Sequence, residues 1–176
     1  MKNGKPTCCF TGSRPQNLPF GFDEQHPACV RLKQLLWQEI QALITEKNVI
    51  HFISGMALGV DQWAAEAVLA LKKVYPHITL ESAIPCESQA VKWKNAQQAR
   101  YFEIASHCDK ETMLQRQYTP DCMQKRNRYM VDSSQFVLAV WAGRPGGTGS
   151  TVRYARQLGR RIVCINPETL QSSEIG

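Results

Sequence analysis

The 176-residue chain has no run of ~18 apolar residues, so no segment is expected to span a membrane. Its opening, MKNGKPTCCF, lacks a long apolar segment ending in small residues and does not read as a secretory signal. The seven cysteines are odd in number and no pair has CxxC spacing, which argues against a disulfide framework or a zinc site. Several lie in apolar runs, where a free cysteine behaves as a small hydrophobe. A reducing compartment, the cytoplasm, is the expected location. Catalytic constellations are also missing. The four histidines are scattered, and there is no Ser/His/Asp set, no HExxH and no pair of carboxylates in the glycine-rich loops. No internal repeat, linker or low-complexity segment interrupts residues 1–176, which are expected to form one domain.

What is present is ordinary for a globular chain: 43% hydrophobic and 20% charged residues. The net charge of +6, from 21 Lys+Arg against 15 Asp+Glu, admits an anionic ligand without requiring nucleic acid. Short apolar runs alternate with helical spacing. Strands are expected at Thr7–Gly12, Val49–Gly55, Ile78–Pro85, Lys110–Gln115, Gln135–Trp141 and Arg161–Pro167. Pro27 opens a helix whose face carries Leu32, Leu36, Ile40 and Leu43. Gly59–Tyr75 is a second helix, with Ala67, Leu71 and Val74 on one side. Glu87–Cys108 is mostly helical, Thr119 caps a helix running to Asp132, and Thr148–Leu158 is closed by Gly159. Near-continuous apolar strands separated by helices imply a three-layer, Rossmann-like α/β fold: a parallel sheet with helices on both faces. Ligands of such sheets lie beyond the carboxyl ends of the strands, so the loops there carry the chemistry.

Three of those loops are unusual. After the fifth strand comes AGRPGGTGSTVR, where Gly146, Gly147 and Gly149 would let backbone amides approach a ligand and Thr148 and Ser150 add hydroxyls. The helix that follows contributes free N–H groups and the positive end of its dipole, a setting suited to phosphate. The stretch is neither a Walker A loop nor GxGxxG, since Val152 stands where the last glycine would fall. After the second strand, Gly55 precedes Asp61, which either caps a helix or accepts a ribose hydroxyl. After the first strand, Gly12, Ser13 and Arg14 offer an arginine for phosphate. A fourth feature is Arg126, which shares a helical stripe with Cys122 and Met130. A guanidinium on a stripe suited to burial needs an anionic partner, either a ligand or an internal carboxylate. Trp93, in VKWKNAQQARYF, either stacks on a base or packs in the core.

Together these loops resemble a known superfamily. SGMALGVDQWAAE resembles the S-G-x-x-x-G-V-D-x-x-A element of the DNA-processing protein A family, and PGGTGSTVR resembles the P-G-G-x-G-T-x-x-E element of the Lonely Guy phosphoribohydrolases. Both are SLOG-superfamily proteins with Rossmann-like nucleotide-ligand folds. TGSRPQNL and WAAE look like the YpsA-like bacterial subgroup. The resemblance implies that Arg126 matches the Lonely Guy arginine, while the motif's glutamate position falls on Arg153. Glycosidic cleavage needs a carboxylate to stabilise a cationic sugar or to activate water, and arginine supplies neither. The resemblance therefore implies a binder or sensor of a phosphorylated nucleotide derivative, such as an ADP-ribose-like ligand, with no metal and no firm cofactor. Two other readings stand beside it. One is a nucleoside monophosphate hydrolase using Glu66 or Glu87. The other is a single-stranded DNA binder using Arg153, Arg156, Arg160 and Arg161. Folds of this kind often pair through helices, which leaves a homo-oligomer open.

Overall fold

A computed structural model describes residues 4–175; residues 1–3 and 176, the ends of the span expected as one domain, lie outside the described residues. Seven strands form one sheet: β1 (Thr7–Gly12), β2 (His51–Ser54), β3 (Thr79–Ile84), β4 (Lys110–Met113), β5 (Phe136–Val140), β6 (Arg161–Asn166) and β7 (Gln171–Ile175). Their spatial order is β4-β3-β2-β1-β5-β6-β7. β1 to β6 run parallel, with Cys9 beside Ile53 on one flank and Val137 on the other. Five α-helices connect them: α1 (Pro27–Lys47), α2 (Val60–Lys72), α3 (Asn95–Ser106), α4 (Cys122–Asp132) and α5 (Gly147–Gln157). No described helix is long and apolar enough to cross a membrane.

The period of two along each strand divides the core into the two expected layers. Cys8, Phe10, Phe52, Leu138 and Val140 point into a cluster with α1, α2 and α3. Cys9, Ile53, Val137 and Ala139 point the other way, against Met130 and Val131 of α4 and Val152 and Ala155 of α5. The cysteines among them are buried and free, as their apolar settings required.

Four local expectations need correction. The sheet is not wholly parallel: β7, which sequence reading leaves out, pairs antiparallel with β6. Its residues, QSSEI, are exposed or half-buried on a sheet edge and so carry no apolar alternation. Thr119 is not the cap of α4. Asp121 holds that position, and Thr119 Oγ1 donates to its carboxylate at 2.7 Å. Val74 lies in the turn after α2 and is 66% exposed. In the mixed segment after β3, only Asn95–Ser106 is helical.

A buried polar knot ties the β4 edge to the rest. Glu81 of β3 is 2% exposed and accepts from Thr112 Oγ1 at 2.7 Å and Tyr129 Oη at 2.6 Å, with His51 Nε2 at 2.7 Å. Burial would push this carboxyl up, but the hydrogen bonds from His51, Thr112 and Tyr129 outweigh it and hold Glu81 at about 2. A carboxyl whose pKa is depressed by folding adds stability above its unfolded value, and that stability is lost as pH falls towards the folded value. Glu81→Gln is expected to cost about 3 kcal/mol at neutral pH, by leaving buried partners unpaired. It should also flatten the loss of stability between the ordinary value of 4.5 and about 2. Urea unfolding of both proteins across that range measures each effect.

Candidate functional site

Strand order reverses between β1 and β5, since β1 is followed in sequence by β2 on one side and flanked by β5 on the other. At this switch point the two strand-end loops part, as the fold rule requires. Between them opens a cleft of about 1010 Å³. Gly12, Ser13 and Arg14 border it from the β1 end, Asp61 and Arg126 from its floor, and Gly146, Gly147, Thr148 and Gly149 from the β5 end. Two expected residues stand outside the lining. Ser150 is exposed on the first turn of α5, and its N–H is used by Gly146 O at 2.9 Å. Gly55 lies behind the floor.

The position of Gly55 explains that floor. A side chain built on Gly55 would place Cβ 2.7 Å from Arg126 Nη1 and 2.9 Å from Asp61 Oδ2. The missing methyl is the space in which the guanidinium and the carboxylate face one another. Arg126 is 3% exposed. Its Nη1 donates to Gly55 O at 2.5 Å and to Ala83 O at 3.5 Å, and its Nε to Asn127 Oδ1 at 2.8 Å, while among the described residues Nη2 meets only the Met123 sulfur, at 3.6 Å. Asp61 is 7% exposed and accepts from the Ala57 N–H at 3.3 Å. Burial pushes the Asp61 carboxyl up, against the opposing pull of Arg126, the Ala57 amide and Arg14. Burial likewise lowers Arg126, and Asp61 opposes it. Arg14 is exposed and forms no ion pair among the described residues. With two guanidiniums near one carboxylate, the floor carries a positive balance.

The glycines at the strand ends divide into two groups. Gly12 makes room for Val60, whose Cγ1 lies 2.6 Å from where a Cβ would stand. Gly149 makes room for the Arg144 carbonyl, at 2.9 Å. That carbonyl also accepts from Trp141 Nε1 at 2.7 Å, which pins the loop onto the end of β5. A Cβ at Gly146 or Gly147 would meet nothing within 4 Å among the described residues. Gly146 has φ 147°, a conformation open mainly to glycine, and it starts α5. No backbone acceptor among the described residues takes the N–H groups of Gly147, Thr148 or Gly149. Helix starts leave these donors unmet, and they favour anions.

Sequence reasoning passed over Trp141, Arg144, Met123 and Asn127, all of which line the cleft. Trp141 stands directly between the apolar strand and the glycines, and that adjacency was the available signal. Glu168 also borders the cleft and forms an ion pair with Arg144, closing its outer end. Arg153, at the position of the Lonely Guy glutamate, is exposed and does not line the cleft. Glu66 and Glu87 are absent from the lining as well; they pair with Arg100 and Arg116. Tyr101 packs edge-to-face on Trp93, at 5.5 Å between ring centroids.

The glycine division generates a stability prediction. Gly149→Ala should cost about 1–3 kcal/mol, because the loop backbone must shift. At about 2–4 °C per kcal/mol, its melting temperature should fall by several degrees. Gly147→Ala should melt within about a degree of wild type, since its Cβ enters open space. Differential scanning calorimetry of the two variants checks both.

The chain is similar to known proteins along most of its length. The chain is 33% identical over 158 residues to the uncharacterized SPbeta prophage-derived protein YoqJ of Bacillus subtilis, covering 82% of this chain and 92% of that one. It is 32% identical over 151 residues to the UPF0398 protein BH1768 of Halalkalibacterium halodurans, covering 84% and 79%. Among solved structures it is similar to DNA processing protein A of Streptococcus pneumoniae, with TM-score 0.62 and 20% identity. It is also similar to DNA processing protein A of Helicobacter pylori, a protein described by its single-stranded DNA binding mode, with TM-score 0.61 and 20% identity. The match covers 92% and 93% of this chain but 50% and 66% of those two, so the likeness is one of fold over part of each neighbour. Residues 8–160 match the profile of the YspA SLOG family. The chain belongs to that family of α/β proteins.

Proposed function

We propose that this protein binds a phosphorylated nucleotide or nucleotide derivative at the switch-point cleft, without cleaving it. The phosphate lies on the N–H groups of Gly147, Thr148 and Gly149, and Arg14 and the Nη2 of Arg126 supply charge. Asp61 meets a ribose hydroxyl or stays as the counter-ion that holds Arg126 in place. The observation that carries the reading is the convergence of unmet amides at the α5 start with a buried guanidinium whose Nη2 has only a sulfur for company. A buried charge so poorly partnered is costly unless an anion completes it. Against hydrolysis, the position that carries a glutamate in the similar Lonely Guy motif holds an exposed arginine, Arg153.

A second reading, single-stranded DNA binding, draws support from the Helicobacter pylori neighbour, whose description names that ligand. It would use the same cleft or the exposed Arg153 and Arg156 on α5. The two readings separate by salt dependence, because a strand that contacts several cations loses affinity steeply with salt while a mononucleotide does not.

Isothermal titration of the purified protein with AMP tests the main reading. Binding is expected, and Gly147→Val should weaken it roughly 10–100-fold while the circular dichroism spectrum is kept, as expected for lost hydrogen bonds to a charged group. Equal affinity in a folded Gly147→Val protein would reject the cradle. A steep salt slope with labelled oligonucleotide, together with silence towards AMP, would favour the strand reading.

A further inference from the structure

The longest helix, α1, turns one face to the core and the other to solvent. Cys29, Leu32, Leu36, Ile40 and Leu43 point inward. The outer side follows the same spacing through Val30, Gln34, Trp37, Gln38, Gln41 and Thr45. Val30 is 44% and Trp37 is 37% exposed; Gln34, Gln38 and Thr45 are exposed, and Gln41 is half-buried. None of the six carries a charge, and none borders the cleft.

A helix face that only meets water usually carries charged side chains. Interfaces show the reverse pattern, with charge depleted and aromatic residues enriched. The charges of α1 are placed off this stripe. Lys33 pairs with Glu24, and Glu39 accepts from Ser172 Oγ at 2.7 Å. Arg31 and Glu46 flank the stripe on one side, near its two ends. Both are exposed, and neither enters an ion pair among the described residues.

The order of these groups is self-complementary. In two antiparallel copies related by a two-fold axis, a position before the centre meets the one equally far beyond it, and each flank meets the same flank. With the axis between Trp37 and Gln38, Gln34 meets the second copy's Gln41 and Val30 meets its Thr45. Arg31 falls within a turn of the second copy's Glu46. The amides agree in polarity. Arg31 Nη1 donates to Gln34 Oε1 at 3.4 Å, which leaves Nε2 as the end of Gln34 that can donate. Gln41 Nε2 donates to Tyr75 Oη at 3.1 Å, which leaves Oε1 as the end of Gln41 that can accept. A donor therefore faces an acceptor on both sides of the axis. A parallel pair would instead bring like charges to the same level.

We propose that this face of α1 is a homodimer interface. A second copy of the chain packs antiparallel across Trp37, and Arg31 of each copy pairs with Glu46 of the other. One pair of helices about 30 Å long makes a small interface, so the dimer is a weak one, with a dissociation constant of roughly 10 μM. The inference is independent of what the cleft binds.

Sedimentation velocity of the purified chain from about 1 to 100 μM tests this. Wild type should pass from monomer to dimer across that range. Trp37→Glu should stay monomeric while its circular dichroism spectrum is kept. Arg31→Glu and Glu46→Arg lie at exposed positions, where substitution leaves the fold intact. Each alone sets like charges against one another at both ends of the pair and should weaken self-association roughly tenfold. An equal mixture of the two should recover the dimer, because each copy then offers the charge that the other lacks. A wild type that remains monomeric at about 100 μM would overturn the second copy and leave the face to a different protein. A dimer that survives Trp37→Glu, or charge variants that fail to complement one another, would place the contact elsewhere on the chain and overturn the proposal as well.

Discussion

The candidate site is organised by one buried cation. Arg126 comes from α4, on one side of the sheet, and reaches the end of β2 to hydrogen-bond Gly55 O. Burying a guanidinium is unfavourable unless its donors are met and its charge is opposed. Here one Nη finds a carbonyl, Nε finds Asn127, and Asp61 opposes the charge. None of this fits unless position 55 lacks a side chain. The strand ending, the first turn of α2 and the middle of α4 are thus mutually conditional: moving any one removes a partner from the others.

The same constraint orders the glycines around it. Those at 12 and 149 serve packing, since Val60 and the Arg144 carbonyl occupy the volumes their side chains would need. At 146 the φ of 147° at the start of α5 calls for glycine, while at 147 neither packing nor a positive φ does, and its Cβ direction opens on empty space. A glycine costs conformational entropy on folding wherever it stands. Where packing accounts for that cost no ligand need be invoked. Where it does not, as at Gly147, the bare backbone leaves room for what approaches from outside.

Much of the fold was legible because the strands carry it openly. FVLAV in β5 is apolar at every position, and it is buried on both faces. The helix spacing of Leu32, Leu36, Ile40 and Leu43 placed α1 correctly, and all four are buried. β7 was not legible. An edge strand buries little, so QSSEI needs no apolar alternation, and its pairing with β6 is written in backbone hydrogen bonds rather than side chains. At the candidate site, residues adjacent in sequence to the strand ends were readable, and Arg126 was singled out by its apolar stripe. The Gly55 relation was not, because it joins positions 71 apart in sequence. Nothing in SGMALG says that its first glycine is the seat of a guanidinium from α4. Gln89 was invisible for the same reason: its importance comes from a carbonyl it shares with Arg126, in a segment without regular structure.

That shared carbonyl joins three segments at one atom. Gly55 O accepts from Arg126 on the cradle side and from Gln89 on the other. Two donors share the lone pairs of one oxygen, so the segment after β3 and the middle of α4 are positioned against each other through the end of β2. The end of β2, just before Gly55, is itself held by its parallel neighbours β1 and β3. The floor of the cleft is therefore set by the sheet as well as by the loops, with Arg126 fixed in place at the end of β2.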